Sequence, residues 1–258
     1  MPFKINLNKL FETKVRKKEL KKNLLVEIGL QIRHYIVSHK PTVYAILGIL
    51  GIILIATPIY LKSYYKKVDT ANVYFENALG IYRKAFMGKD LTPEERANLL
   101  QESLRRFQYV INRFKGTPLS ADALFYQGNA YYELGDYNNA LKKYQEYYEK
   151  YSKKYFADFA LINAGKCYEQ LNNFQGAVQS YQKVIDKYSD RSGATEALFH
   201  LGKIYELSNN LNQAFQYYNK LVSEHPYSPW AKEAKLRILF IQTFLFKQQK
   251  QTPEKKAQ

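Results

Sequence analysis

The sequence predicts an all-α protein: one membrane-spanning helix near the N-terminus, then a solenoid of about four helix hairpins closed by a capping helix. Three observations carry that prediction. Residues 41–61 form an unbroken run of 21 uncharged residues. The C-terminal half repeats itself with a period of 37 residues. Tyr (24) and Phe (15) are abundant while Gly (12) and Pro (8) are scarce, so aromatic packing is rich and chain punctuation sparse, as in long helices.

Residues 1–40 read as a basic amphipathic tail. They carry ten basic and three acidic side chains, a balance of +7, against 29 basic and 20 acidic, +9, over the other 218 residues. The formal net charge of +16 is therefore densest at one end. Leu7, Leu10, Phe11, Leu20, Leu24, Leu25, Ile28 and Ile32 among those lysines suit contact with anionic lipid headgroups.

Residues 41–62 read as a transmembrane signal-anchor helix. At about 1.5 Å per residue the uncharged run covers roughly 30 Å, the thickness of a bilayer core. Tyr44 at one end and Tyr60, Tyr64 and Tyr65 at the other suit interfacial belts, between Lys40 and Lys62. The apolar run is too long for a cleaved signal peptide, and no small-x-small site follows. The ten basic residues of the tail predict a cytoplasmic N-terminus, with residues 63–258 outside; in a bacterium, that is the periplasm.

Residues 63–250 form the repeat array. Six columns align at a shift of 37: Gly128, Gly165 and Gly202; Ala140, Ala177 and Ala214; Leu124, Leu161 and Leu198; Tyr131, Tyr168 and Tyr205; Tyr144, Tyr181 and Tyr218; Ala160, Ala197 and Ala234. Within each unit apolar residues recur at three and four, the helical period, in two segments. Gly135-Asp136, Asn172-Asn173 and Asn209-Asn210 separate the segments, and such residues tolerate left-handed backbone and stop helices. Each unit is thus a helix hairpin, predicted at 119–152, 156–189 and 193–226. A hairpin buries one side of itself, so neighbours stack to complete a core. The Gly and Ala columns are predicted where the two helices of a hairpin approach closely, with aromatic columns filling the space between hairpins.

A divergent hairpin at 67–114 precedes these, since FQYVINRF matches YQKVIDKY. Its second helix opens at Thr92-Pro93-Glu94-Glu95, where Thr92 caps, Pro93 takes the first position and Glu95 completes a capping box. Residues 229–248 form a degenerate half-repeat expected to serve as the capping helix; its apolar LRILFIQTFLF either closes the last hairpin or adds an oligomer or partner surface. Residues 251–258 read as a disordered tail.

These residues resemble the tetratricopeptide repeat family. A Gly, an aromatic three on, Ala twelve on and an aromatic sixteen on are met by Gly128/Tyr131/Ala140/Tyr144 and both later copies, and three extra residues per unit fall between hairpins. The ending HPYSPWAKEA is similar to repeats of envelope proteins of the BamD and CpoB type. The resemblance implies a TPR-type α-solenoid that binds protein partners in a groove lined by first helices. Mapped here, that face holds Phe125, Asn129 and Tyr132, then Ile162, Lys166 and Glu169, then Phe199, Lys203 and Glu206. Arrays that clamp a C-terminal carboxylate add basic residues to paired asparagines; Asn129 and Asn163 fit, but Phe125 and Glu196 replace the basic members, so that clamp is not expected. A basic tail, one span and an exported array together resemble YfgM-like ancillary subunits of the Sec translocon, which implies translocon subunits, exported chains or chaperones as partners. The alternative resemblance, to BamD or CpoB-type coordinators of envelope biogenesis or cell division, lacks a lipobox cysteine here.

Other function classes find little support. The chain has no glycine-rich phosphate loop, paired His-x-x-x-His, nucleophile elbow or clustered carboxylate pair, so neither an enzyme nor a cofactor is expected. His34, His39, His200 and His225 have no metal-ligand spacing, and the lone Cys167 sits at an apolar repeat position as a buried structural thiol. Charge in the array is interspersed rather than clustered, so nucleic acid is not expected as a partner.

Overall fold

The computed structural model describes residues 26–251, and these are helical throughout apart from short turns. The apolar positions of the tail from Leu7 to Leu25, and residues 252–258 of the predicted disordered tail, lie outside the described residues. The chain divides into a unit ending at Tyr65 and a second beginning at Lys66.

In the first unit, α1 covers 26–38, and Val26, Leu30, Ile32 and Ile36 on it are exposed. The helix α2 then runs Lys40–Met87, long and apolar enough to cross a membrane, with none of its apolar window buried. The span read over 41–62 and the start of the array helix read near 67 both fall within these bounds. Nothing between Lys62 and Val68 lacks an amide N–H or favours a turn, so the hydrogen-bond ladder proceeds although the side chains change from apolar to charged. Pro58 lies within the helix, and the neighbouring Thr57 hydroxyl bonds the Ile53 carbonyl at 2.6 Å.

In the second unit the helices alternate with tight turns. They are α3 Pro93–Arg113, α4 Pro118–Glu133, α5 Tyr137–Tyr151, α6 Ala157–Gln170, α7 Phe174–Tyr188, α8 Gly193–Leu207, α9 Leu211–Glu224 and α10 Pro229–Gln251. Gln251, expected in the disordered tail, is the last residue of α10. The capping box at α3 forms in full: Thr92 Oγ1 accepts from the Glu95 amide at 3.2 Å while a Glu95 carboxylate oxygen accepts from the Thr92 amide at 2.8 Å.

Three turns share one construction. Gly135, Asn172 and Asn209 adopt φ of 76°, 58° and 59°, the left-handed conformation open to Gly and Asn. Each turn returns the next amide to a carbonyl five residues back, as Asp136 to Tyr131, Asn173 to Tyr168 and Asn210 to Tyr205, closing the preceding helix with a Schellman motif. Asp136, Asn173 and Asn210 then cap the following helix, their side-chain oxygens accepting from the amides of Asn139, Gly176 and Gln213. One dipeptide thus ends a helix and starts its partner.

The core is a row of clusters along the second unit. Phe75 of α2 meets Phe107 of α3 at 6.0 Å between ring centres, in a cluster with Ala71, Leu79, Val110 and Phe114. Ala140, Ala177 and Ala214 are fully buried, as are Tyr181 and Tyr218. The glycine column faces aromatic rings of its own hairpin: a methyl on Gly128, Gly165 or Gly202 would come within 2.6, 2.5 and 2.5 Å of Tyr144, Tyr181 and Tyr218. Here the structure refines the sequence reading, because those tyrosines fill the space inside a hairpin and not only between hairpins. Cys167 is buried, and burial pushes its thiol up to about 12, so it stays protonated and inert. On α10, Ala231, Ala234 and Ile241 are buried, whereas Leu236, Leu239, Phe240 and Phe244 are exposed.

Candidate partner groove

Helices α4, α6 and α8 are the first members of successive hairpins, and their residues face a common side through the 37-residue register. Of the nine positions predicted on that face, Phe125, Ile162 and Phe199 are not available to a partner. They are 6%, 0% and 8% exposed. The cause is a covering column, also 37 apart, that arrives with the next hairpin. The Phe156 ring lies flat on Phe125 at 4.5 Å and 4° between planes, Trp230 leans on Phe199 at 4.9 Å, and a methyl on Gly193 would come within 2.7 Å of Ile162 Cδ1.

Of the other six, Asn129, Glu169, Lys203 and Glu206 carry a hydrogen-bond ladder. Asn129 Oδ1 accepts from the Tyr144 hydroxyl at 2.7 Å and from Asn163 Nδ2 of the next hairpin at 3.2 Å. Glu169 accepts from the Tyr181 hydroxyl at 2.5 Å, from His200 Nδ1 at 2.7 Å and from Lys203 at 3.0 Å. The Glu169 carboxylate carries no proton to offer at neutral pH, so His200 is the donor. Glu206 accepts from the Tyr218 hydroxyl at 2.9 Å and from Arg237 at 3.3 Å. Lys166 is paired to Glu196 at 2.5 Å, and Tyr132 is half-buried with its ring 5.2 Å from that of Tyr137.

Each step has the same grammar: a tyrosine of the second helix and a donor from the next hairpin converge on one acceptor. The donors, Asn163, His200 and Arg237, are 37 residues apart. Sequence reasoning passed over that column because its residues differ chemically; the shared trait is an N–H donor, visible only once Glu169 and Glu206 are recognised as acceptors. Electrostatics follow the geometry. Burial alone would raise Glu169, but the hydrogen bonds from His200, Tyr181 and Lys203 outweigh it and hold the carboxyl at about 2. Burial and then the neighbouring carboxylates push the Tyr181 and Tyr218 hydroxyls far up, keeping them protonated as donors.

At the α2 end of this face lies a cavity of about 240 Å³, walled by Tyr82 and Phe86 of α2, Asn129, Tyr132 and Glu133 of α4, and Asn163 and Lys166 of α6. Among the described residues, no group of three or more His, Cys, Asp or Glu is placed to hold a metal ion.

Comparison with known proteins fits this architecture. No curated protein sequence matches the chain. Among solved structures, the TPR-like repeats of a putative kinesin light chain from Podosopora anserina superpose at a TM-score of 0.52 and 13% identity, covering 69% of this chain and 88% of that one. The apo form of RapI gives 0.51 and 18%, covering 70% and 52%. BtubC from P. vanneervenii gives 0.50 and 11%, covering 69% and 82%. These likenesses establish the α-solenoid fold. The tetratricopeptide repeat profile matches residues 94–154 and 162–229, half of the sequence. With its hairpins, left-handed turns and glycine–tyrosine contacts in place, the chain belongs to the tetratricopeptide repeat family and is a scaffold of the protein–protein interaction type.

Proposed function

We propose that this protein is a membrane-anchored scaffold that holds partner polypeptides on its first-helix face on the extracytoplasmic side, ancillary to the Sec translocon and the chaperones that receive exported chains. The observation that carries this reading is the coexistence of α2, long and apolar enough to span a bilayer, with a prearranged ladder of donors and acceptors along the array. A partner that meets fixed polar groups loses less free energy to ordering than one that must organise them. The anchor supports a site of action close to the membrane, and the basic N-terminal tail supports the inside-to-outside orientation.

Photoreactive residues at Lys203 and Tyr132, which are not covered as Phe125 and Phe199 are, test the partner claim in cells. Translocon subunits or exported chains are the expected crosslinks; cytoplasmic partners alone would overturn the reading. Orientation is checked separately at Tyr227, which is 98% exposed. A Tyr227→Cys variant is expected to react with a membrane-impermeant maleimide in spheroplasts, against a silent background because Cys167 is buried. Labelling only after lysis would place the array in the cytoplasm.

A further inference from the structure

Most carboxylates along the first-helix face are matched by cations; Asp122 and Glu133 of α4 are not, and of the two only Glu133 borders a cavity on this face. Glu169 has Lys203, Glu196 has Lys166, and Glu206 has Arg237. Glu133, at the end of α4, has no hydrogen bond or ion pair among the described residues, yet it borders the 240 Å³ cavity. The cation whose charge acts on it, Arg96, is occupied elsewhere: its guanidinium bonds the carbonyls of Ala85 at 2.7 Å, Phe86 at 3.4 Å and Gly88 at 3.2 Å, at the C-terminal end of α2. Burial raises the Glu133 carboxyl above its ordinary value, as expected for a charge partly withdrawn from water without a partner.

The rest of the cavity selects the partner. Tyr82, Phe86 and Tyr132 present aromatic walls, and Asn129 and Asn163 present amides. An anion would meet Glu133 with like charge, and Lys166 is already neutralised by Glu196. An apolar side chain would strip water from a carboxylate and replace none of its hydrogen bonds. A cationic side chain satisfies both features, since its stem and charge lie against ring faces while its N–H groups bond the carboxylate. We infer that the Glu133 cavity binds a lysine or arginine side chain projected from an extended polypeptide lying along the first-helix face. This inference rests on the scaffold reading above and adds a residue preference to it.

The test uses the full chain in lipid nanodiscs and fluorescein-labelled octapeptides of Gly, Ser and Ala with one central Arg, Lys, citrulline or Glu. Fluorescence anisotropy is expected to show the Arg and Lys peptides binding about tenfold tighter than the citrulline peptide, the worth of one charge-assisted hydrogen bond. That advantage should fall to about twofold or less in Glu133→Gln and shrink in Phe86→Ala. Both side chains are exposed, so the fold does not depend on them, and circular dichroism should match the wild type. Equal binding of the Arg and citrulline peptides, or an advantage that survives Glu133→Gln, overturns the inference. So does free arginine or putrescine binding as tightly as the peptide, since the polypeptide would then contribute nothing. The two readings fail separately. Cellular partners crosslinked at Lys203 with no charge preference at Glu133 leave the scaffold and remove the pocket; an intact Arg preference with no partner at the groove does the reverse.

Discussion

Gly165→Leu is expected to destabilise the array by about 3 kcal/mol or more, the upper part of the range for overpacking a filled core. A single carbon there would already lie 2.5 Å from Tyr181 Cε1 and 2.6 Å from Cζ. The ring cannot swing away. Tyr181 is fully buried, stacks on His200 at 5.0 Å between ring centres, and is tied to Glu169 through its hydroxyl. Displacing it therefore breaks the ladder as well as the packing. The cause is separable by a double-mutant cycle. In a Tyr181→Ala background, itself costing about 3–5 kcal/mol from the cavity it leaves, leucine at 165 has room and should cost little or even recover stability. Urea melts followed by far-UV circular dichroism give all four free energies. Additive costs would mean that the glycine is required for some reason other than the ring.

That contact also shows what the sequence could and could not reveal. The spacing of sixteen between Gly165 and Tyr181 repeats three times, so a periodic search finds it without any structure. Asn172 and Asn209, and the Thr92–Glu95 capping box, were legible because their signals are local: a left-handed backbone and an orphan amide are solved within a few residues. Two features were not local. Phe125, Ile162 and Phe199 read as groove residues because their own helix places them on the first-helix face, while the Phe156, Gly193 and Trp230 positions that cover them belong to the following hairpin. The Asn163, His200 and Arg237 column was hidden for a second reason: a shared donor leaves little trace when three residue types can donate.

Glu169→Gln is expected to cost about 3 kcal/mol at pH 7, and that cost should vanish in acid. The wild-type carboxyl lies at about 2 in the folded array against an ordinary 4.5. Between those values the unfolded chain takes up a proton that the folded chain refuses, so each step down in pH favours unfolding. The stabilisation is complete above about 4.5, declines as the pH falls toward 2 and is absent below it; 2.5 units at 1.36 kcal/mol each gives about 3 kcal/mol. Glutamine keeps an oxygen for the Tyr181 hydroxyl but offers no charge to Lys203. Glu95, Glu102 and Glu146 are lowered as well, by their own hydrogen bonds, and they titrate identically in both proteins, so they cancel in the difference. Melts of wild type and variant at pH 7, 4 and 2.5 should therefore show a gap that is widest at pH 7 and nearly closed at pH 2.5. A gap of constant size would mean that the carboxylate contributes only its shape, and that the ladder across α6 and α8 is held by packing rather than by charge.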